Sequence, residues 1–517
     1  MSGAQAATTG HAGHPPGAGA GQQAPPPRID MRGNLARALH DPALQTALGR
    51  ALPGFRRMRA DAVAEMPEWE ALRRLAAQIK DHALAHLDRY LEQLAAAVAA
   101  ASGQVHWADD AAAARRLIVD LAQARGVRRV VKSKSMVTEE IGLNGALEAA
   151  GVRVVETDLG EYVLQLAGEP PSHLIAPMLH KPLEAVTDLF AARLGAPRYT
   201  RAEDLNRVAR ATLRGEFLAA EMGITGVNFA VAETGTLVLV ENEGNARLVT
   251  ARPRIHVAVM GIEKVLPRLA DLGVFLRLLA RSATGQRASV YVSLLTGPRR
   301  PGEPDGPEEL HLVLVDNGRT RLLADGDLRE ALRCIRCGAC LNVCPVFARA
   351  GGHAYGSVYA GPIGAVLTPA LWGLAPAHEL PFASTLCGAC GEVCPVRIDL
   401  PRLLLELRAR AVRAGLVDRP ERLLARLWTF VMRSPTRLQL AGRVARVLQR
   451  PLVRHGRIDR LPPPLAGWTA HRSAPPLAAV PFRARWRRGH EPPEGGDRDM
   501  PAAGPFPARW RRGRRST

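Results

Sequence analysis

The residues best suited to chemistry in this 517-residue chain are its seven cysteines, all at or after position 334. Residues 334–345 read CIRCGACLNVCP, which sets Cys334, Cys337, Cys340 and Cys344 ahead of Pro345. The spacing C-x2-C-x2-C-x3-C-P suits an iron–sulfur cluster. Three thiolates on a tight turn containing Gly338 reach three irons of one cubane, and the fourth leaves toward a second cluster. Pro345 stiffens the exit. Residues 387–395 read CGACGEVCP, the second half of the same motif, with Cys387, Cys390, Cys394 and Pro395. Ser384 stands where this half would carry its first thiolate. Cross-ligation then assigns Cys334, Cys337, Cys340 and Cys394 to one cluster and Cys344, Cys387 and Cys390 to the other.

Two alternatives compete with this reading. An odd, clustered set of cysteines is no disulfide framework. Zinc knuckles take four ligands, and their motifs call for neither a third Cys at x2 nor a Cys-Pro exit. The second site has only three thiolates. It can hold a three-iron cluster, a four-iron cluster with Ser384 or water on the odd iron, or a ligand from a partner subunit. A hydroxyl is a harder and weaker ligand than a thiolate, so that iron should be labile.

Other elements must position these loops. From Asn34 to about Ser102 apolar residues recur at helical spacing, as in Leu84, Leu87, Leu91 and Leu94. Strand and helix then alternate. Strands are expected at 127–131, 152–155, 229–231, 237–240, 256–260, 290–295 and 312–315, with helices at 139–150 and 182–194. Apolar strands flanked by helices indicate a mostly parallel sheet buried on both faces. The Gly-rich stretch 353–369 between the cysteine runs reads as a covering loop or a plain long connection. Helices return at 403–412 and 421–432 and continue to about Val453.

Composition narrows the rest. Residues 1–31 are rich in Gly, Ala and Pro and read as a disordered leader. The net charge is +20, and residues 401–517 alone hold 26 arginines against 8 acidic residues. The end repeats PFRARWRRG (481–489) as PFPARWRRG (505–513). This tail reads as a solvated, composition-driven segment, or as a contact with anionic lipid or an acidic partner. Aromatics at 4% and the lack of a groove-reading motif argue against nucleic-acid binding. No apolar run is long enough to span a membrane and no export signal is visible, so a cytoplasmic protein is expected. No GxGxxG follows a first strand, so neither nicotinamide nor flavin is expected here.

A second group of candidates sits in the α/β part. Lys132 and Lys134, among very few lysines, follow a strand at the mouth of the sheet, where open α/β sheets bind ligands. They read as a carboxylate or phosphate site, or as solvated loop lysines. Glu233, Thr234 and Gly235 form either part of that site or a tight hairpin turn with Gly235 at positive φ. Asn245 belongs to the same rim. His173 and His180 read as structural histidines before ligands.

The stretches CIRCGACLNVCPVF, GGHAYGSVYAGPIGAVLTP and LCGACGEVCPVRIDLPRLL, with KSKSMVTEEIGLN, ETDLGEYVLQL, PSHLIAPMLHK and GVNFAVAETGTLVLVENEGNARL, resemble the lactate utilization protein B family over about residues 35–488. The resemblance implies an α/β LUD domain, akin to sugar isomerases and CoA transferases, at 32–320 with its N-terminal helices. It implies a mainly α-helical ferredoxin-type domain at 321–415, a helical family region at 416–488, and a basic disordered tail at 489–517. It favours two [4Fe-4S] clusters, the second with three Cys ligands. It further implies an electron-transfer subunit of a complex oxidising L-lactate to pyruvate, not a complete enzyme. The companions would be a Cys-rich subunit like those of heterodisulfide reductases and a second LUD protein. The competing function is a redox-sensing or ligand-binding regulatory protein.

Overall fold

Apolar strand runs with no polar alternation need cover on both faces. In the computed structural model, which describes residues 27–462, 465–469 and 472–487, ten strands of the α/β part sort into two sheets. They are β1 (Gln104–Ala108), β2 (Arg129–Lys132), β3 (Arg153–Glu156), β4 (Met222–Gly226), β5 (Phe229–Val231), β6 (Thr236–Glu241), β7 (Ile255–Gly261), β8 (Val265–Leu266), β9 (Tyr291–Leu295) and β10 (Glu309–Val315). The larger sheet runs β1-β10-β7-β4-β2-β3, with every neighbouring pair parallel. Along β10, Leu310, Leu312 and Leu314 pack with Leu91 and Leu94 of the helix Leu87–Ala100. Val313 and Val315 face the opposite side, with Ile118 and Ala122 of the helix Ala111–Ala124. Both faces are therefore buried, as the composition of the strands requires.

The second sheet, β8-β5-β6-β9, is mixed, with β5/β6 and β6/β9 antiparallel. The expectation of one mostly parallel sheet fails for these strands. The cause is local. Gly235, at φ +68°, turns the chain within four residues, so β6 must return beside β5. Its N–H donates to the Val231 carbonyl at 3.0 Å. The helix expected over 139–150 also divides, into Met136–Glu140 and Leu143–Ala149, because Gly142 at φ +64° breaks it.

The chain divides into two units, Met1–Leu416 and Val417–Thr517. The residues on both sides of the expected 320/321 boundary belong to one compact unit. One core joins Leu48, Leu52, Phe229 and Phe275 to Phe347, Ile363, Leu403 and Leu407. The helix Pro42–Ala64, assigned to the LUD domain, packs against the cysteine region: Arg56 donates to the Asn342 carbonyl and Arg59 to that of Val393. The expected leader also ends early. Ile29 is buried, its N–H donates to the Pro376 carbonyl at 2.8 Å, and a helix capped by Asp30 starts at Met31. Residues 1–26 and the tail at 489–517 lie outside the described residues.

The second unit carries the helices Arg419–Met432 and Pro435–Leu448 and a short hairpin, Val453–Arg454 with Arg457–Ile458. Neither helix buries a residue; Leu427, Trp428, Phe430 and Leu440 are all exposed. Among the described residues, no helix is long and apolar enough to cross a membrane.

The turn at Gly235 gives a direct check. A Cβ there would stand 2.7 Å from the Ala97 carbonyl carbon and 2.8 Å from the Val98 nitrogen, which are backbone atoms with little freedom to yield. Gly235→Ala should cost about 2–3 kcal/mol through strain and overpacking. Thermal or denaturant unfolding of the full chain measures it, and an unchanged midpoint would contradict this packing.

Candidate functional site

The two cysteine runs fold alike. Cys337-Gly338-Ala339-Cys340 and Cys387-Gly388-Ala389-Cys390 each place Gly in the left-handed region, at φ +72° and +88°, before a one-turn helix. The residues ahead of each pair, Arg336 and Leu386, also have positive φ, +60° and +55°. This is costly for residues with a Cβ. By this correspondence Ser384 is the counterpart of Cys334. Its hydroxyl accepts from the Leu386 N–H at 3.1 Å, while the Thr385 hydroxyl is the one bonded to Cys387.

Cys334, Cys337, Cys340 and Cys394 line one small cavity of about 20 Å³, with Leu174, Ile363 and Ile398. Burial, then Cys394, pushes the Cys337 thiol up to about 12; burial also raises Cys394, to about 11. Cys344 and Cys390 neighbour each other and Cys387 electrostatically, and burial with Cys344 drives Cys390 up to about 12. Such thiols stay protonated at neutral pH until a metal takes the proton's place. Cys387 is exposed and lowered instead, by the Ala389 N–H and the Thr385 hydroxyl.

The surroundings fit anionic clusters. Backbone N–H groups of Arg336, Phe347 and Ile398 point at the sulfurs of Cys334, Cys344 and Cys394. The buried Tyr355 hydroxyl lies near Cys340, Cys344 and Cys390 and has no partner among the described residues. A donor of that kind suits a sulfide or thiolate acceptor. Arg73 donates to the carbonyls of Cys394 and Gly391, tying the second run to the helix Trp69–Ala85. Among the described residues, no three His, Cys, Asp or Glu groups are set to hold a single metal ion.

A larger cavity, about 260 Å³, opens at the C-terminal ends of β2, β4 and β7. It is lined by Lys134, Asn228, Glu241, Lys264, Arg319, Arg336 and Tyr359, among others, so it lies between the sheet rim and the first cysteine loop. Arg319 is almost wholly buried. It pairs with Glu140 at 2.8 Å and Glu263 at 2.6 Å, and Arg336 reaches the other oxygen of Glu263 at 3.2 Å. Burial disfavours the Glu263 charge, yet Arg319 and Arg336 hold it down at about 2. Tyr359 donates to Glu140 at 2.5 Å, and the Arg336 guanidinium lies 4.8 Å from its ring centre. Burial, then Arg336, lowers Lys264 to about 8, and burial lowers Lys80 to about 7.

The rim residues expected from sequence are only partly brought together. Lys134 lines the cavity, where it pairs with Glu161 at 2.9 Å and donates to the Ile175 carbonyl. Lys132 does not line it. That ammonium is fully buried and clamped by Glu156 at 2.8 Å and Glu139 at 3.0 Å, so its role is structural. Glu233 and Thr234 also stand away from the cavity. Glu233 accepts from the Leu269 N–H at a helix start, and Thr234 bonds the Thr236 hydroxyl within the hairpin. Asn245 is one step removed: its amide donates to Thr157 and Asp158 behind the lining. His173 pins the 171–181 segment to Asn342 of the first cysteine loop, and His180 bonds Glu169 and Ser172. Lys264, Arg319, Arg336, Glu140, Glu263 and Tyr359 went unread. One signal was available: the chain has only five lysines, and Lys80 and Lys264 are two of them.

Three family models match the chain: the LUD domain over residues 91–315, the 4Fe-4S dicluster domain over 330–398, and lactate utilisation protein B, C-terminal, over 413–491. A lactate utilization protein B of Shouchella clausii (strain KSM-K16) is 46% identical over 450 residues, covering 87% of this chain and 94% of its own. The lactate utilization protein B of Bacillus subtilis (strain 168) is 44% identical over 455 residues, with 88% and 94% covered. An uncharacterized electron transport protein of Escherichia coli (strain K12) is 46% identical over 406 residues, with 78% and 85% covered. With its LUD fold, its 4Fe-4S dicluster domain and these relatives, the chain belongs to the lactate utilization protein B family.

Proposed function

We propose that this chain is the electron-transfer subunit of a complex that oxidises L-lactate to pyruvate and so allows growth on lactate. One observation carries the reading. Arg336 lies two residues after Cys334 and also lines the rim cavity, while Cys387 of the other group is exposed. A small substrate chamber, one ligand set beside it and a second ligand set that reaches the surface through Cys387 therefore share a single unit. Cys334, Cys337, Cys340 and Cys394 would hold the first [4Fe-4S] cluster; Cys344, Cys387 and Cys390 would hold the second, with no fourth thiolate in the chain. Bound clusters supply one-electron carriage, and a pair matches the two electrons a 2-hydroxy acid gives up on becoming a 2-oxo acid. The chain's own part is to exclude water around the first set, to fix the loops through Arg59 and Arg73, and to leave Cys387 reachable by a partner.

The partners fitting this role are a Cys-rich, heterodisulfide-reductase-like subunit and a second LUD protein. The α/β fold is proposed to be of the sugar-isomerase and CoA-transferase kind. A cytoplasmic location, peripheral to the inner membrane, is supported by the exposed apolar residues and the many arginines of the helices Arg419–Met432 and Pro435–Leu448.

Cys337→Ser should abolish lactate-dependent dye reduction by the complex assembled anaerobically with its companions, by at least about 100-fold, at unchanged protein yield. Wild-type rates in that variant would overturn the electron-transfer reading. Brief mild oxidation should convert the second cluster to a three-iron form, seen by EPR and iron content, while the first survives. Equal resistance of the two would reveal a fourth strong ligand at the second site. Full-length Trp428→Glu should lose salt-sensitive sedimentation with anionic vesicles. Undiminished sedimentation would remove the membrane contact from this reading.

A further inference from the structure

The charges of the rim cavity fall into two sets. Around Lys134, Asp158 accepts from the Lys134 N–H at 2.6 Å and from Asn245 at 2.8 Å. Glu241 accepts from the N–H groups of Ala246 and Arg247, and Glu243 from that of Leu159. Lys134 itself pairs with Glu161. Asn245 Oδ1 has no partner among the described residues, while the carboxylates of this side are satisfied from within the chain.

The side toward the first cysteine loop is not. Arg319 is fully taken up by Glu140 and Glu263. Arg336 spends Nη2 on Glu263 but leaves Nη1 buried and without a partner among the described residues. Lys264 lines the same cavity and forms no ion pair or side-chain hydrogen bond among the described residues. Three cations here face two carboxylates, which leaves one positive charge. An unpaired buried guanidinium N–H costs free energy unless an acceptor arrives. Leu174, Ile175, Val227, Leu239 and Met260 supply apolar walls beside these donors. A volume of about 260 Å³ suits a few-carbon acid and lies below the roughly 300–1,000 Å³ of sites for larger ligands.

We propose that this cavity binds a small organic monocarboxylate, with the carboxylate between Arg336 Nη1 and Lys264 Nζ and the carbon chain against the apolar walls. Tyr359 holds its place by donating to Glu140 and stacks against Arg336, which keeps the guanidinium aimed at the carboxylate. The site would bring an acid's polar head against the loop that carries Cys334 and Cys337. Only the choice of acid rests on the electron-transfer reading, because binding is measured on this chain alone.

The test is calorimetry on the anaerobically loaded full-length protein with pyruvate, L-lactate, acetate, sulfate and phosphate as separate probes. Pyruvate or L-lactate should bind at one site in the millimolar range or tighter, more tightly than acetate and well ahead of the inorganic anions. Lys264→Met should weaken that binding at least about tenfold at unchanged cluster absorbance, and Lys264→Arg should restore most of it. Absence of saturable binding, equal binding of sulfate or phosphate, or full binding by Lys264→Met would each overturn the proposal; the last would leave the cations as counter-charge for the cluster. Binding without lactate-dependent reduction in the complex would sink the electron-transfer reading and leave this one standing, and reduction without binding would do the reverse.

Discussion

The arrangement depends on one buried ion network. Arg319, just beyond β10, holds Glu140 beyond β2 and Glu263 beyond β7, and Glu263 in turn holds Arg336 of the first cysteine loop. Four segments far apart in sequence thus meet through charges almost closed to water. Breaking one partner of such a set typically costs about 3–5 kcal/mol, because it strands the other charge. The network therefore fixes where the cysteine loop sits relative to the sheet rim. It also accounts for the fusion of the α/β and cysteine parts into one unit, together with the shared apolar core beneath.

Around the network the chain grades from closed to open. Cys337, Cys344, Cys390 and Cys394 are buried, Cys334 and Cys340 are half-buried, and Cys387 is exposed. The N-terminal helices contribute to the closed end, where Arg56, Arg59 and Arg73 donate to carbonyls of both cysteine runs. These arginines cap loops whose backbone cannot satisfy its own carbonyls, and they bring positive charge near sulfur. A redox centre built there is shielded from water on the cavity side and reachable on the Cys387 side. Those are the two conditions a carrier between a buried substrate and a protein partner has to meet.

What the sequence disclosed follows from distance along the chain. The cysteine spacing is a local code, so two ligand sets could be read from it, and Cys334, Cys337, Cys340 and Cys394 line one cavity in the structure. The parallel strands were legible because β7 and β10 are apolar at most positions, with the buried His256 and His311 as exceptions. The rim site was not legible. Lys132 and Lys134 stand two positions apart in sequence, yet one is sealed between Glu139 and Glu156 and the other lines the cavity. β2 ends at Lys132, so Lys134 stands in the loop beyond the strand, and where the cavity lies depends on β4, β7 and the cysteine loop. Glu233 and Thr234 look like site residues because they stand in a polar turn between apolar strands. The close approach of Gly235 to Ala97 and Val98 explains that turn without any ligand. Arg336 was hidden among dozens of arginines, although its place inside C-x2-C held it to a single turn.

The central claim is that two clusters sit in one compact unit, on the cysteine sets proposed above. Iron and sulfide analysis of the anaerobic full-length protein, with EPR after full reduction by dithionite, tests it most directly. The account predicts about eight irons per chain and a spectrum broadened by magnetic coupling between two neighbouring reduced clusters. About four irons with one uncoupled signal, or zinc in place of iron, would contradict it.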